Sequence, residues 1–598
     1  MAIPLLRTDH TTIKGGELVA RMLAAEGVTT AFGIIDGTYL GLCAGFEPNG
    51  IRLITPRHET SAAHMAGAYA RLTGKLGVCI ASNGPGVANI LPGVAVENAE
   101  GNRVLLITSS RREGITYPER GGTYQYFAQV EVTRPMTKHS VFVPSVDRLA
   151  ELMRRALRHC FAGRPGVVHV DIPESVMNGS FVLDPSWLRE PASYRVTEPM
   201  AASPSQVEEA ARMLRSAKRP LIHAGSGVVH ALAHEELAEL SAVLDAPIST
   251  SWAARAVVDE RNSRALPLIY VDVLKTARNQ ADLVLTLGSR LGETDWWGKA
   301  PYWAKPEAQR MIQVDVDPEI LGNNRPLDLA VQADVKVFLR AVIDELRSLG
   351  PTPFAKERRA FVDELHGECL ARRKKLDKPL SDMALPMHSA HVAATCREVF
   401  DDDAILVIDG GNTAIWANFH HEVRVPHTVV TTPKMGMLGA GVSQALGAKA
   451  AFPERQVYCV IGDGAMGFHQ QEIETAVRNG LNVVWLVLCD RQWGMVKMNQ
   501  QFALKPLKTL ALKALANQSL REDETINTDL SETQFDLLAR AMGAHGERVA
   551  DPRGLRGAIQ RALASNKPAV IHVDVDRTKH LWAPELKTFK DMHAEPAG

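Results

Sequence analysis

The sequence predicts an α/β protein built from three doubly wound parallel-sheet domains. Three blocks of the chain alternate short apolar runs with amphipathic helical segments, which is typical of parallel strands covered by helices on both faces. The length of 598 residues agrees with this, because it suffices for about three to four domains. In the third block, the apolar runs QVYCVIG and LNVVWLVLC each end beside an aspartate.

The blocks follow one another with recognisable boundaries. Strands are expected in the first block at residues 30–34, 77–81, 104–108 and 167–171, and in the second at PLIHAG, DLVLTLG and RMIQVDVDP. The stretch 178–204 has the composition of a linker. We expect a first domain at 1–190, a central domain at 200–350, a helical linker at 351–385, a third domain at 386–575 and a tail or lid at 576–598. An insertion at 502–529 shows helical spacing, and it borders a pocket or packs as a surface helix.

Composition excludes several classes of partner. The net charge is −1 with 23% charged residues and without a long basic run, so neither nucleic acid nor an anionic membrane is an expected partner. The sequence has no 18-residue apolar run and no secretory signal pattern, and we therefore expect a cytoplasmic protein. Seven cysteines without a CxxC spacing predict reduced thiols rather than disulfides.

Asp463 and Asp490 are the strongest candidate ligands. Each follows an apolar run, and the two runs flank an amphipathic segment, so a β-α-β unit would bring both carboxylates to one sheet edge. Glycines beside Asp463 allow backbone N–H groups to approach an anion, and Mg²⁺ needs only a few protein oxygens. No Walker lysine follows Gly464, which argues against a P-loop. The alternative is a Gly-Asp turn that caps a helix.

Gly462-Asp463-Gly464, a polar residue 27 positions later and the run WGMV at 493–496 together resemble the thiamine diphosphate signature of the decarboxylase and acetolactate synthase superfamily. The resemblance implies thiamine diphosphate and Mg²⁺, with Asp463, Asp490 and the Gln492 carbonyl as metal ligands. The superfamily usually carries asparagine where this chain has Asp490, which adds a negative charge. The cofactor contacts implied in this loop are Gly462, Asp463, Gly464, Ala465 and Asp490.

The segment 57–89, RHETSAAHMAGAYARLTGKLGVCIASNGPGVAN, resembles the pyrimidine-binding half of acetolactate synthases. The resemblance places Glu59 at N1′ of the aminopyrimidine, where its proton promotes the imino form that activates the thiazolium carbon. Pro85 and Asn89 are the implied cofactor contacts of the following turn. Glu59 is otherwise a carboxylate at a helix N-terminus, and the turn is otherwise an ordinary strand-to-helix connection.

Two further segments of the third block carry the resemblance. PKMGMLGAG, at 433–441, places the Gly436 carbonyl and Leu438 against the pyrimidine, with Leu438 holding the cofactor in its bent shape. After the strand-like run AILVI, Asn412 and Thr413 are implied diphosphate contacts. A leucine is otherwise most often core, and Asn412 and Thr413 are otherwise helix caps.

Residues near the reacting carbon bear on the substrate. Asp36 occupies a loop position where the family often has glycine, so it relays protons or selects a hydroxylated substrate, or it caps the next helix. Gln125 matches a glutamine of acetolactate synthases. Two departures stand out: KMN at 497–499 replaces Gln-Trp-Glu, and LPLI at 266–269 replaces the flavin-contacting Gly-Met-His-Gly, which makes FAD doubtful.

The sequence therefore favours acetolactate-synthase-like carboligation of 2-oxo acid, aldehyde or ketol substrates. Alternatives are a 2-oxo acid decarboxylase, a sulfoacetaldehyde-acetyltransferase-like enzyme, and a 2-hydroxyacyl-CoA lyase or oxalyl-CoA decarboxylase. Two hypotheses of other classes are an NAD-dependent dehydrogenase using HAGSG at 223–227 and an inactive cofactor-binding subunit. The family pairs the first block of one chain with the third block of another, so we expect a homodimer at minimum and a homotetramer.

Overall fold

The computed structural model describes residues 12–115, 120–516 and 518–586. Within these ranges the chain forms three six-stranded sheets in which every strand pairing is parallel, and helices alternate with the strands along the sequence. This architecture confirms the predicted α/β fold of three parallel sheets. The chain divides into two compact units, Met1–Glu198 with one of the six-stranded sheets and Pro199–Gly598 with the other two.

The first unit contains a six-stranded sheet and a separate strand pair. Its strands are β1 Thr12–Lys14, β2 Thr30–Gly33, β3 Arg52–Ile54, β4 Gly77–Ala81, β5 Val104–Ser110, β6 His139–Phe142, β7 Val167–Pro173 and β8 Ser180–Val182. Its helices are α1 Gly15–Ala25, α2 Leu40–Phe46, α3 Glu59–Thr73, α4 Pro85–Glu100, α5 Gln129–Thr133, α6 Val146–Phe161 and α7 Glu174–Asn178. The strand order in the sheet is β3-β2-β4-β5-β7-β6.

Burial explains which strands of this sheet the sequence predicts. β2, β4, β5 and β7 are buried at every position, so apolar residues dominate each of them, and they match the four predicted strands. The edge strands β3 and β6 are partly exposed and mix polar with apolar residues, and the sequence analysis missed them.

Part of the stretch predicted as a linker is ordered by pairing. β8 pairs antiparallel with β1, so that Ile13 lies opposite Phe181. Further along the same stretch, Arg195 forms an ion pair with Glu26 at 2.7 Å. These contacts join the end of the first unit to its beginning.

The central block has the strand order β11-β10-β9-β12-β13-β14. Its strands are β9 Pro220–Ala224, β10 Ile248–Thr250, β11 Ala265–Leu266, β12 Leu283–Leu287, β13 Arg310–Asp315 and β14 Leu329–Gln332. Its helices are α8 Pro204–Ser216, α9 Ser226–His230, α10 His234–Leu244, α11 Val271–Gln280 and α12 Val335–Ser348. The three predicted strands correspond to β9, β12 and β13. A long helix, α13 Ala355–Leu376, then occupies the predicted linker region.

The third sheet has the strand order β16-β15-β17-β18-β20-β19. Its strands are β15 Ile405–Asp409, β16 Val429–Val430, β17 Val457–Gly462, β18 Val483–Cys489, β19 His545–Val549 and β20 Ala569–Asp574. Its helices are α14 Ala390–Val399, α15 Asn412–His420, α16 Ala440–Ala451, α17 Asp463–His469, α18 Glu472–Asn479, α19 Gly494–Leu504, α20 Pro506–Ala516, α21 Phe535–Ala541, α22 Pro552–Ala564 and α23 Arg577–Leu581.

One apolar core joins the central block, α13 and the third block. Its members include Leu266, Leu274, Phe361, Leu365, Trp416, Phe419 and Leu581. Leu581 belongs to α23, so residues 577–581 of the predicted tail pack into the protein; the lid role stays a prediction, and residues 587–598 lie outside the described ranges. None of the helices in the described part of the chain is both long and apolar enough to cross a membrane.

Candidate cofactor and metal site

The candidate site lies at the carboxyl edge of the third sheet, where three loops follow adjacent strands. β15 pairs in parallel with β17, and β17 pairs in parallel with β18. The loops after these three strands therefore open at one edge. They carry the predicted residues Asn412, Thr413, Gly462, Asp463, Gly464, Ala465, Asp490 and Gln492.

Asp463 is held as an acceptor at the start of α17. Gly464 N donates to its Oδ1 at 2.8 Å, and Arg491 N donates to its Oδ2 at 2.7 Å. Burial and the neighbouring charge of Asp490 raise the pKa of Asp463 to about 7. A divalent cation at this place would stabilise the ionised form of the Asp463 carboxylate.

Asp490 is buried and takes part in a hydrogen-bond network with Gln492 and Arg577. Burial raises its pKa to about 6, and the Gln492 amide and Arg577 act in the opposite direction. Gln492 Nε2 donates to Asp490 Oδ2 and to the Arg577 carbonyl, each at 2.9 Å. The Gln492 side chain therefore supports Asp490, while metal binding by the Gln492 carbonyl stays a prediction.

Asn412 and Thr413 occupy the first two positions of α15, and both are buried. The cap of this helix is Gly411, so the alternative that Asn412 or Thr413 is the cap is wrong. Asn412 Nδ2 donates to the Leu581 carbonyl at 3.3 Å, while its buried Oδ1 has no hydrogen-bond partner among the described residues. A Cβ added to Gly494 would lie 2.7 Å from Asn412 Nδ2 and 3.4 Å from Asp490 Oδ2, so both side chains converge above Gly494.

The glycines of the Asp463 loop are required by close packing. A Cβ on Gly464 would lie 2.6 Å from the Trp493 ring, and one on Gly462 would lie 3.0 Å from Thr413 Oγ1. Ala465, the next residue of α17, is buried. The loop is therefore packed against both neighbouring loops.

Gly436 and Leu438 lie in the turn before α16. Gly436 has a positive φ of 58°, is exposed, and donates its N–H to the Thr432 carbonyl at 2.9 Å. Leu438 is only partly buried. A Cβ on Gly439 would lie 2.5 Å from Phe468 Cβ, so this turn packs against α17, the helix that begins at Asp463.

In the first unit, Glu59 begins α3 and is partly buried. The cap of α3 is His58, whose Nδ1 accepts from Thr60 N at 3.2 Å. Asn89 Nδ2 donates to Glu59 Oε2 at 3.1 Å, and Thr60 Oγ1 donates to the Asn89 carbonyl. The structure thus brings together Glu59 and Asn89, which the sequence predicts as cofactor contacts 30 positions apart.

Gln125 lies against the turn between β4 and α4 that holds Pro85. Gly84 has a φ of 66°, and Pro85 follows it as the first residue of α4. A Cβ on Gly84 would lie 2.6 Å from the Gln125 carbonyl, which accepts from Asn83 Nδ2 at 3.1 Å. Gln125 is exposed and has a φ of 56°.

Asp36 caps the short 3-10 helix Gly37–Tyr39. Its Oδ1 accepts from Thr38 N at 2.8 Å and from Thr38 Oγ1 at 2.5 Å. The capping alternative from the sequence is therefore observed, and a role of Asp36 in proton relay stays a prediction.

The sequence analysis missed two residues of α23 that contact the site. Arg577 Nε donates to the Asp490 carbonyl at 2.9 Å. His580 Nε2 lies 3.3 Å from Thr413 Oγ1, and burial lowers the pKa of His580 to about 4, so it is neutral near pH 7. The available signal was Asp576, a preferred N-cap residue two positions after the end of the buried strand β20.

The central sheet offers no comparable site in the motif singled out for a dehydrogenase. A Cβ on Gly225 would lie 2.3 Å from the Gly288 carbonyl, so close backbone packing accounts for this glycine without a ligand. Leu266, Leu268 and Ile269, at the position of the flavin-contacting motif, are buried in the apolar core. Neither observation favours a dinucleotide at this edge.

Comparison with known families matches the whole organisation. Three descriptions of the thiamine pyrophosphate enzymes match in chain order: the N-terminal TPP binding domain at residues 13–132, the central domain at 207–342 and the C-terminal TPP binding domain at 409–573. The chain belongs to the thiamine pyrophosphate enzyme family. The predicted superfamily resemblance is thereby confirmed, and thiamine pyrophosphate (thiamine diphosphate) is its cofactor.

Curated relatives of this thiamine pyrophosphate enzyme are named acetolactate synthases. "Acetolactate synthase" of Mycobacterium bovis is 30% identical over 577 residues, 95% of this chain and 89% of that protein. "Acetolactate synthase isozyme 2 large subunit" of Escherichia coli K12 is 29% identical over 95% and 97% of the two chains. "Probable acetolactate synthase large subunit" of Methanocaldococcus jannaschii is 26% identical over 95% and 93%. The chain is an acetolactate-synthase-like carboligase or lyase.

The residues at the third-sheet edge fit the cofactor of thiamine pyrophosphate enzymes. The buried amide oxygen Asn412 Oδ1, which has no partner in the part of the chain that the structure describes, needs a donor or a cation. Burial raises the pKa of both Asp463 and Asp490, so a positive charge between the two carboxylates would favour their ionised forms. The bare Cα of Gly494 leaves space where Asn412 and Asp490 converge.

Proposed function

We propose that this enzyme joins a 2-oxo acid donor to a second 2-oxo acid or an aldehyde, in an acetolactate-synthase-like carboligation that depends on thiamine diphosphate and Mg²⁺. The observation that carries the proposal is the convergence of Asn412, Asp463 and Asp490 at adjacent strand ends. Relatives named acetolactate synthases, aligned over 95% of the chain, support the reaction class.

We assign a binding role to each residue at the edge of the third sheet. Asp463 and Asp490 hold the cation, with the Gln492 carbonyl as a third ligand. Asn412 and Thr413, at the start of α15, bind the diphosphate. Thiamine diphosphate, when bound, supplies a carbon nucleophile that makes or breaks a bond beside a carbonyl group.

Glu59 holds the proton that the pyrimidine ring requires. The Asn89 amide donates to Glu59 Oε2, which fixes the carboxylate, and we assign the proton to Oε1. A fixed carboxylate at hydrogen-bonding distance is what general acid–base catalysis needs. Gln125, beside the Pro85 turn, and Asp36 are the residues that we place near the reacting carbon.

Assembly into at least a homodimer, and preferably a tetramer, is part of the proposal. The family resemblance pairs the Glu59 block of one chain with the Asp463 block of another. Symmetric association would give each dimer two equivalent sites.

Of the three residues that depart from acetolactate synthases after WGMV, Lys497 and Met498 face the protein interior and Asn499 is exposed. Lys497 is buried and forms an ion pair with Asp529 at 2.7 Å, and Met498 is buried in the apolar core. The identity of the donor and acceptor must therefore be determined directly.

Binding and turnover measurements test the proposal. Titration calorimetry is expected to show thiamine diphosphate binding only when Mg²⁺ is present. Pyruvate, glyoxylate, oxalyl-CoA and a 2-hydroxyacyl-CoA are then supplied as donors, and carbon dioxide and ketol products are followed. Pyruvate is expected to give both carbon dioxide and acetolactate. If carbon dioxide is released without a ketol, the protein is a decarboxylase and the carboligase proposal is wrong. If only a CoA thioester is turned over, the lyase alternative holds instead.

A further inference from the structure

Ionic side chains meet on Asp529, directly behind the loop that carries Asp490. Lys497 Nζ donates to both Asp529 oxygens, at 2.7 and 3.0 Å, and Arg577 Nη2 donates to Asp529 Oδ1. Lys497 is only 3% exposed, so Asp529 supplies the counter-charge for a buried ammonium group. The carboxylate of Asp529 therefore fixes two cations at once.

Arg577, which pairs with Asp529, also contacts the backbone of the loop from Asp490 to Trp493. Its Nε donates to the Asp490 carbonyl at 2.9 Å, and its Nη2 donates to the Arg491 carbonyl at 3.2 Å. A planar guanidinium donates in fixed directions, so a guanidinium held by Asp529 holds these two carbonyls as well.

The backbone around Asp529 contacts the same loop. Trp493 N donates to the Thr528 carbonyl at 2.7 Å, and Leu530 N donates to the Arg491 carbonyl at 2.9 Å. Arg491 has a φ of 55°, a left-handed conformation that a non-glycine residue adopts only with support from its surroundings. The loop conformation that presents Asp490 thus depends on contacts from outside the loop.

We propose that Asp529 is a positioning residue of the metal site. By holding Lys497 and Arg577, it keeps the loop from Asp490 to Trp493 in the conformation that directs the Asp490 carboxylate toward the cation. Asp529 ends the insertion 502–529 and Arg577 begins α23, so both segments support cofactor binding through this cluster. The inference rests on the proposed function, because it assumes that a divalent cation binds at Asp463 and Asp490.

Asp529→Asn tests the proposal, because it keeps the shape of the side chain and removes its charge. The measurement is thiamine diphosphate binding to the purified full-length apoprotein at increasing Mg²⁺, followed by quenching of tryptophan fluorescence; Trp493 packs against Gly464 of the site. We expect the Mg²⁺ concentration at half-saturation to rise by about tenfold to a hundredfold, the usual effect of losing a residue that orients a metal ligand.

Glu524→Gln is the matched control. Glu524 lies in the same insertion and pairs with Lys505 at 2.8 Å and with Lys508 at 2.5 Å. Removing this ion pair is expected to leave the Mg²⁺ dependence within about twofold of wild type, as expected for a pair away from the metal ligands.

The outcomes separate positioning from a purely structural role. A lower melting temperature of the Asp529→Asn apoprotein with an unchanged Mg²⁺ dependence would overturn the proposal. If Asp529→Asn does not fold, Arg577→Lys decides by the same criterion, because lysine keeps the charge and loses the fork that reaches two carbonyls. If wild-type protein itself binds no thiamine diphosphate with Mg²⁺, the proposed function fails and the positioning role fails with it.

Discussion

Asp490 gives the proposed metal site a second carboxylate, and its surroundings show how the protein accommodates this side chain. The side chain is buried, yet Gln492 donates to its carboxylate and Arg577 donates to its carbonyl. These contacts lower the pKa of Asp490 against the effect of burial, which leaves it at about 6. Without a cation, Asp463 and Asp490 therefore ionise only near neutral pH.

Mg²⁺ binding is expected to strengthen as the pH rises from 5 to 7.5. A proton must leave each carboxyl group before the metal binds, and the pKa values are about 6 for Asp490 and about 7 for Asp463. Below both values, affinity should fall by about tenfold per pH unit for each displaced proton. Asp490→Asn removes one titrating ligand, so its calorimetric pH dependence should be shallower than that of wild type. Equal slopes for the two proteins would contradict the prediction.

The helix α23 shows which elements a sequence can predict and which it cannot. β18 is buried throughout and β17 everywhere except at Gly462, so their apolar runs predict them and place Asp463 and Asp490 next to their ends. β16 is two residues long and α23 is five, which is too short for a periodic pattern. Asp529 and Arg577 reach the site through contacts distant in sequence, so no local motif identifies them.

Leu581, in the last position of α23, should contribute strongly to stability. It is fully buried in the core shared with Trp416 and Phe419. Leu581→Ala is expected to lower the free energy of unfolding by about 2–5 kcal/mol, from lost burial and the cavity that remains. Leu507→Ala on α20 is the control: Leu507 is 82% exposed, so its change should stay within about 0.5 kcal/mol. Denaturant unfolding of the apoproteins measures both, and a loss for Leu581→Ala as small as that expected of the control would contradict the prediction.

The whole molecule contains the same parallel-sheet architecture three times, and the predicted site residues lie on the first and third sheets. The first sheet bears Glu59 and the Pro85 turn, and the third bears Asp463 and Asp490. In the central sheet, the glycine turn at Gly225 packs against Gly288. Sequence reasoning predicted the three sheets because their inner strands are apolar, and it placed site residues where glycine turns follow those strands. The expected homodimer or homotetramer came from the family resemblance alone and stays a prediction, because association depends on surfaces without a motif.

A mixture of two inactive variants tests whether sites form between chains. Glu59→Gln should lower kcat by about 10²–10⁴-fold, the range of a lost acid–base group, and Asp463→Asn should abolish metal-dependent cofactor binding. If one site takes Glu59 from one chain and Asp463 from another, each mixed dimer has one intact site. Co-refolding equal amounts should then restore about one quarter of wild-type activity, because about half of the dimers are mixed.

The two variants refolded separately are the controls for this experiment and should stay inactive. A mixture that remains as inactive as its components, although mass photometry with distinguishable tags shows mixed dimers, would mean that Glu59 and Asp463 serve the same site from one chain.

The antiparallel pairing of β1 with β8 brings the two ends of the first unit together. Its entry strand at Ile13 and its exit strand at Phe181 lie side by side. A segment whose ends meet in this way can be excised, duplicated or grafted into another host without threading the polypeptide through a fold. The gene can therefore be cut after β8 to express the first unit as a separate fragment, which contains Glu59 without Asp463 and Asp490.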